Sequence, residues 1–144
     1  MPCTSATSAR PTVLVVDDDL ALLDSLKLML EVDGFAVVIA ENGVRGLQAF
    51  RNREPDVVII DVMMPKLDGI ESVRQMRRER PDAKIVVMSG EVGTRQLDLQ
   101  KTAKELGAAA VLRKPFDPAT LAPLLRDVLR EASPTGSPGT APRV

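Results

Sequence analysis

Short, mostly apolar runs alternate along the chain with segments whose apolar residues recur every three or four positions. The runs are "TVLVV" (12–16), "FAVVIA" (35–40), "DVVII" (56–60), "AKIVVM" (83–88) and "AAVL" (109–112). The first four are rich in β-branched residues and all five are too short for a helix, so each predicts a strand. The intervening segments predict helices near 20–33, 43–53, 69–79, 94–105 and 117–131. In the first, Leu23, Leu26 and Leu30 fall at i, i+3 and i+7, Leu22 and Met29 widen the face, and Gly34 suits the C′ position. In the second, Val44, Leu47 and Phe50 make the apolar face. In the last, Leu121, Leu124, Leu125, Val128 and Leu129 keep the full amphipathic spacing.

Five strand–helix units follow from this pattern. Strands that are apolar at nearly every position are buried on both faces, and regular alternation with helices implies right-handed crossovers and a mostly parallel sheet. The fold class is therefore α/β, a doubly wound sheet with helices on both faces. In such sheets ligands bind beyond the carboxyl ends of the strands. The residues predicted there are Asp17, Asp18 and Asp19 after the first strand, Asp61 after the third, Ser89 after the fourth and Lys114 just after the fifth.

Composition narrows the chemistry. The 144 residues suit one domain, with 44% apolar and 27% charged side chains. No apolar run is long enough to span a membrane, and "MPCTSATSAR" lacks the apolar core of a secretory signal, so a cytoplasmic protein is expected. Cys3 is the single cysteine and histidine is absent. Disulfide frameworks, Cys/His zinc sites, Ser-His-Asp triads and histidine acid–base catalysis are excluded together. The net charge is −1 and the basic stretch "RQMRRER" is interleaved with acidic neighbours, so no nucleic-acid footprint is evident. Residues 1–11 and the Pro/Gly/Ser/Thr-rich 132–144 have little to bury and are expected to be disordered, leaving a domain over 12–131.

Three adjacent aspartates can cap a helix or hold a cation, and one cap does not need three acids. Clustered carboxylates suit a hard divalent ion such as Mg²⁺. Mg²⁺ with a lysine is what a reaction on phosphate requires, since phosphoryl transfer is catalysed mainly by positioning and charge neutralisation. With no histidine or tyrosine present, a carboxylate is the candidate nucleophile, and Asp61 stands alone at its strand end.

Taken together, "VLVVDDD", "VVIIDVMMPKLDG", "VVMSGE" and "VLRKPF" resemble, in order and over residues 12–131, the receiver domain of two-component response regulators. The resemblance implies a flavodoxin-like sheet of strand order 2-1-3-4-5. It implies that Asp17 and Asp18 bind Mg²⁺ with Asp61 and the backbone carbonyl of Met63, and that Asp61 is the phosphoacceptor. Ser89 would contact the phosphoryl group, and Lys114 would contact Asp61 and later the phosphoryl group. Asp19 is then left as the helix cap, Asp68 and Gly69 open the third helix, and the Lys114–Pro115 bond would be cis.

The implied partners are a sensor histidine kinase or a histidine phosphotransfer protein and a downstream protein target. Direct contact with nucleic acid or membrane is not implied, and a homodimer could use the face of the fourth helix, fifth strand and fifth helix. With no effector segment after 131, a stand-alone receiver is expected, promoting its own phosphorylation and dephosphorylation without turning over external substrates. One position departs from the family pattern: Val111 stands where an aromatic residue is usual. The switch is therefore expected to run through the loop carrying Ser89, Gly90 and Glu91. The rival readings are a haloacid-dehalogenase-like phosphatase with Asp17 as nucleophile and Asp19 as acid, and a pseudo-receiver that only docks. Ala21, and the lack of an acidic pair after Met88, count against the phosphatase; the complete set of five strand-end residues counts against the pseudo-receiver.

Overall fold

The computed structural model describes residues 10–62, 68–89, 101, 103–114 and 116–130. Its strands are β1 (Thr12–Val16), β2 (Ala36–Ala40), β3 (Val57–Asp61), β4 (Ile85–Ser89) and β5 (Ala110–Arg113). They form one parallel sheet in the order β2-β1-β3-β4-β5. The helices are α1 (Leu20–Val32), α2 (Gly43–Arg53), α3 (Asp68–Glu79), α4, seen at residues 101 and 103–106, and α5 (Leu121–Arg130).

Strand residues alternate between two apolar layers, as the two-residue period of a strand requires. Val13, Val15, Val57, Ile59, Val86 and Met88 pack with Leu23, Leu26 and Leu30 of α1 and Leu121, Leu125 and Val128 of α5. Leu14, Val16, Val58, Ile60, Ile85 and Val87 pack with Phe50 of α2, Val73 and Met76 of α3, and Ala103 and Leu106 of α4. This two-sided burial is why β1, β3 and β4 tolerate so few polar residues. Exchanging Leu14, or one of the buried isoleucines Ile59, Ile60 and Ile85, for alanine should cost about 2–5 kcal/mol.

Local chemistry sets where the helices begin and end. Asp19 caps α1, its side chain accepting from the Leu22 N–H at 3.2 Å, as anticipated. Gly34, at φ +100°, closes the same helix, with Gly34 N–H donating to Glu31 O and Phe35 N–H to Leu30 O. Gly107, at φ +73°, repeats this closure on α4 through Lys104 O and Ala103 O.

Two helix readings need correction. Val44 is 65% exposed rather than part of the apolar face of α2, because Gly46 is the residue that lies against Val16 of β1. The last segment is not one helix from 117. Asp117 caps a short 3-10 turn (Pro118–Thr120), and the α-helix begins at Leu121. Pro118 sits at the first position of that turn, where its missing N–H is not needed.

At the opposite end of the sheet from the carboxyl edge, cations from neighbouring elements cap helix carbonyls. Arg126 donates to Asp33 O after α1 at 2.8 Å, and Lys84 to Leu129 O in α5 at 3.1 Å. Arg80 donates to Phe50 O in α2 at 3.4 Å while its guanidinium lies 4.2 Å over the Phe50 ring. Positive charge at a helix C-terminus opposes the negative end of the dipole, so these contacts favour the observed packing.

Candidate functional site

The carboxyl edge of the sheet gathers the predicted residues from four strands. β1 delivers Asp17, which is fully buried, and β3 ends on Asp61, which is buried as well. Both follow strands whose apolar side chains fix the backbone on two faces, so their carboxylates are presented from rigid positions. Carboxylate oxygens of Asp17, Asp18 and Asp61 lie within 4.8 Å of one another. Asp18 is the exposed member of the three.

Lys114 enters from the end of β5. Its ammonium donates to Asp17 Oδ2 at 2.6 Å and to Asp61 Oδ2 at 3.0 Å, with its side chain 23% exposed. The other oxygen of Asp17, Oδ1, accepts from the Asp19 N–H at 2.9 Å. Asp17 is thus held from both sides, by a backbone amide and by a lysine distant in sequence. Ser89 ends β4, is buried, and follows Met88, the sheet partner of Asp61. Its carbonyl accepts from the Lys114 N–H at 2.7 Å, which ties the predicted hydroxyl and ammonium positions through the main chain.

The electrostatics are those of an acidic pocket partly neutralised from within. Three carboxylates face one ammonium, so acidic groups outnumber the basic one among the described residues of the site. Burial, followed by the charge of Asp17 and a hydrogen bond with it, pushes the Asp18 carboxyl above its usual range, and Asp61 adds to the effect. Burial alone would lower the Lys114 ammonium, but its hydrogen bonds to Asp17 and Asp61 and their charges raise it, so it is protonated at neutral pH. The donor set is all oxygen, which suits a hard divalent ion.

Of the predicted site residues, Asp17, Asp18, Asp61 and Lys114 converge, and Ser89 stands on the adjacent strand end. Met63, Pro115, Gly90 and Glu91 lie outside the described residues. Val111 is half-buried against the α2–α3–α4 layer and is paired with Val87 across β4 and β5. The structure adds one residue whose role was read only as a turn. A Cβ placed on Gly69 would fall 2.2 Å from Asp61 O and 2.6 Å from Val62 Cα, so the start of α3 packs against the backbone of Asp61 itself. The Asp-Gly pair that opens the helix is the sequence signal for it, but only the tertiary approach explains why the glycine has no room for a side chain.

These features can be set beside known proteins. A relative called response regulator MprA, from Mycobacterium sp. (strain KMS), is 38% identical over 126 residues, covering 88% of this chain and 54% of the relative. The transcriptional regulatory protein CseB of Streptomyces avermitilis is 37% identical over 130 residues, covering 90% and 54%. The chain therefore spans about half the length of the curated relatives it matches. Among solved structures, a CheY-like receiver domain protein from Methanospirillum hungatei JF-1 superposes with a TM-score of 0.78 at 30% identity, over 85% of this chain and 95% of that one. A response regulator from Thermotoga maritima gives 0.75 at 30% identity, over 85% and 100%. With its acidic trio, bridging lysine and 2-1-3-4-5 sheet, and with the response regulator receiver domain model matching residues 13–126, the chain belongs to the receiver domain family of response regulators.

Proposed function

We propose that Asp61 accepts a phosphoryl group from a phosphohistidine on a sensor histidine kinase or a histidine phosphotransfer protein. One oxygen of the Asp61 carboxylate attacks phosphorus, the new O–P bond forms as the N–P bond breaks, and the electron pair leaves on the imidazole nitrogen. Asp17, Asp18 and Asp61, with the Met63 carbonyl, would hold Mg²⁺, which when bound neutralises charge on the phosphoryl oxygens. The lysine ammonium, 3.0 Å from Asp61, is already within reach of those oxygens and takes up part of their charge once transfer is complete. Ser89, on the neighbouring strand end, donates its hydroxyl to a phosphoryl oxygen.

The reading rests above all on one observation: three carboxylates converge while a single lysine bridges two of them. It describes a signalling module in the cytoplasm, with its receiver unit over residues 12–131, that modifies itself rather than turning over external substrates. The output is a change of surface read by a protein target. Among the described residues, no helix is long and apolar enough to cross a membrane.

Incubation with acetyl phosphate and Mg²⁺, followed by intact mass and site mapping, tests the reading. One phosphoryl group should appear on Asp61, depend on Mg²⁺, and be lost in Asp61→Asn. Label on Asp17 would favour a phosphatase-like mechanism and overturn the assignment; absence of label under conditions that phosphorylate other receivers would favour a docking module.

A further inference from the structure

Arg77 lies in the last turn of α3, away from the acidic site, and makes more main-chain contacts than capping requires. Its Nη1 donates to Pro81 O at 2.8 Å and to Ala83 O at 2.7 Å. Its Nη2 donates to Gly107 O at 2.8 Å and its Nε to Leu106 O at 3.3 Å. Four of the five guanidinium N–H groups are thereby committed to carbonyls of two separate segments. The first segment leads into β4; the second is the closing turn of α4 that leads into β5. Gly107 packs directly on the guanidinium, since a Cβ there would sit 3.6 Å from both Nε and Nη2.

The arrangement costs something that a surface contact would not. Burial lowers the affinity of the Arg77 guanidinium for its proton, and the charge of Asp82 offsets this only in part. A half-buried cation paired with carbonyls contributes less than one paired with a carboxylate, so the planar fork itself is what the site uses. A lysine has three donors around one point and cannot reach four carbonyls spread over two segments.

We infer that Arg77 is the positioning residue that anchors the lead-in to β4, Pro81–Ala83, to the turn that closes α4, Leu106–Gly107, at the edge of the domain remote from Asp61. β4 ends on Ser89, and the α4 turn leads into the strand that carries Lys114. A change begun at Ser89 therefore acts on a strand whose lead-in is tied to the same side chain as the lead-in to β5. The anchor confines displacement to the carboxyl edge and keeps the turn at 106–109 still in both states. Ala109 N–H, bonded to Ile85 O at 2.7 Å, places β5 from the same fixed point. The inference rests on the phosphoacceptor reading for what begins the change, and on the four carbonyl contacts for the anchor.

The test compares the full chain with Arg77→Gln and Arg77→Lys by amide hydrogen exchange and amide NMR, with and without beryllofluoride and Mg²⁺. In the wild type, residues 106–109 should be protected in both states and show little mimic-induced shift. Both variants should exchange about tenfold or more faster at 106–109 without the mimic, because carbonyl contacts that hold the turn are gone. On addition of the mimic their shifts should spread into 106–113. Arg77→Lys keeps the charge and serves if Arg77→Gln does not fold; a structural role alone would raise exchange without relocating the response. Wild-type exchange at 106–109 in Arg77→Lys, or a response still confined to the carboxyl edge in both variants, would overturn the anchor. No response to the mimic in the wild type would instead refute phosphorylation at Asp61, and the exchange comparison without the mimic would still decide the anchor.

Discussion

Gly69→Ala should damage the site more than the fold. The added Cβ would lie 2.2 Å from Asp61 O and 3.0 Å from Asp61 C, against normal carbon contacts of about 3.5 Å. Relief needs a shift of roughly 1 Å, and the atoms in the way are backbone at the end of a buried strand. Overpacking of this kind costs about 1–3 kcal/mol. Alanine's better helix propensity, at most about 1 kcal/mol, offsets part of that. A net loss of about 1–2 kcal/mol lowers the melting temperature by roughly 3–12 °C in a domain of this size. The effect on rate should be larger, because Asp61 is what moves, and a misplacement of about 1 Å can cost about 100-fold. Thermal unfolding by circular dichroism and initial rates of phosphorylation by acetyl phosphate measure the two effects. Gly34→Ala is the control: at φ +100° with nothing within 4 Å, it strains the chain by about 1–2 kcal/mol far from Asp61. It should lower the melting temperature while leaving the rate within about twofold. Equal slowing in both variants would show that lost stability alone is being read, and a wild-type Gly69→Ala would show that the close approach does not constrain the site.

Lys114→Ala should fold, bind Mg²⁺ several-fold more tightly because the competing ammonium leaves Asp17 and Asp61, and yet phosphorylate more slowly; calorimetric titration and intact mass check both, and unchanged affinity with an unchanged rate would remove Lys114 from the site. Asp18→Asn should stabilise the domain at pH 7 in chelator, by no more than about 1 kcal/mol since the side chain is exposed, and so raise its melting temperature. The sign follows from its raised carboxyl pKa: the associated stability is present below the ordinary value of 3.8 and lost as pH rises through the folded value, so at pH 7 ionised Asp18 is a cost. Lys114 has the same sign in a higher window, its contribution intact at neutral pH and lost only as pH climbs through its raised value. Deleting 133–144 should leave the melting temperature and phosphorylation unchanged, and a drop of several degrees would mean those residues pack on the domain.

Periodicity located all five strands to within two residues, because β1, β3 and β4 are buried on both faces and even the half-buried edge strands β2 and β5 stay mostly apolar. Strand order was not readable that way: Val13 pairs with Val37 on one side and Val57 on the other, yet nothing in its own letter names either neighbour, and the order came through resemblance to receivers. The acidic trio and Lys114 were legible because their chemistry is unusual at strand ends. Val44 misled because its spacing fits a helix face, and only the packing of Gly46 on Val16 shows that the face is turned. Gly69 and Arg77 were missed for a shared reason. Their roles depend on backbone atoms of distant segments, and carbonyls leave no trace in the letters of a sequence.

The contact between Lys84 and Leu129 O bears on how the domain can be used as a part. It fastens the last turn of α5 to the entry of β4, so residue 130 is a firm mounting point at the side remote from Asp61. A fluorescent protein joined there through a short rigid spacer would take its orientation from the sheet itself. Paired with a dye near Ser89, it would report movement of the carboxyl edge against a stationary reference, whereas a fusion ahead of Thr12 would lack that lysine tether.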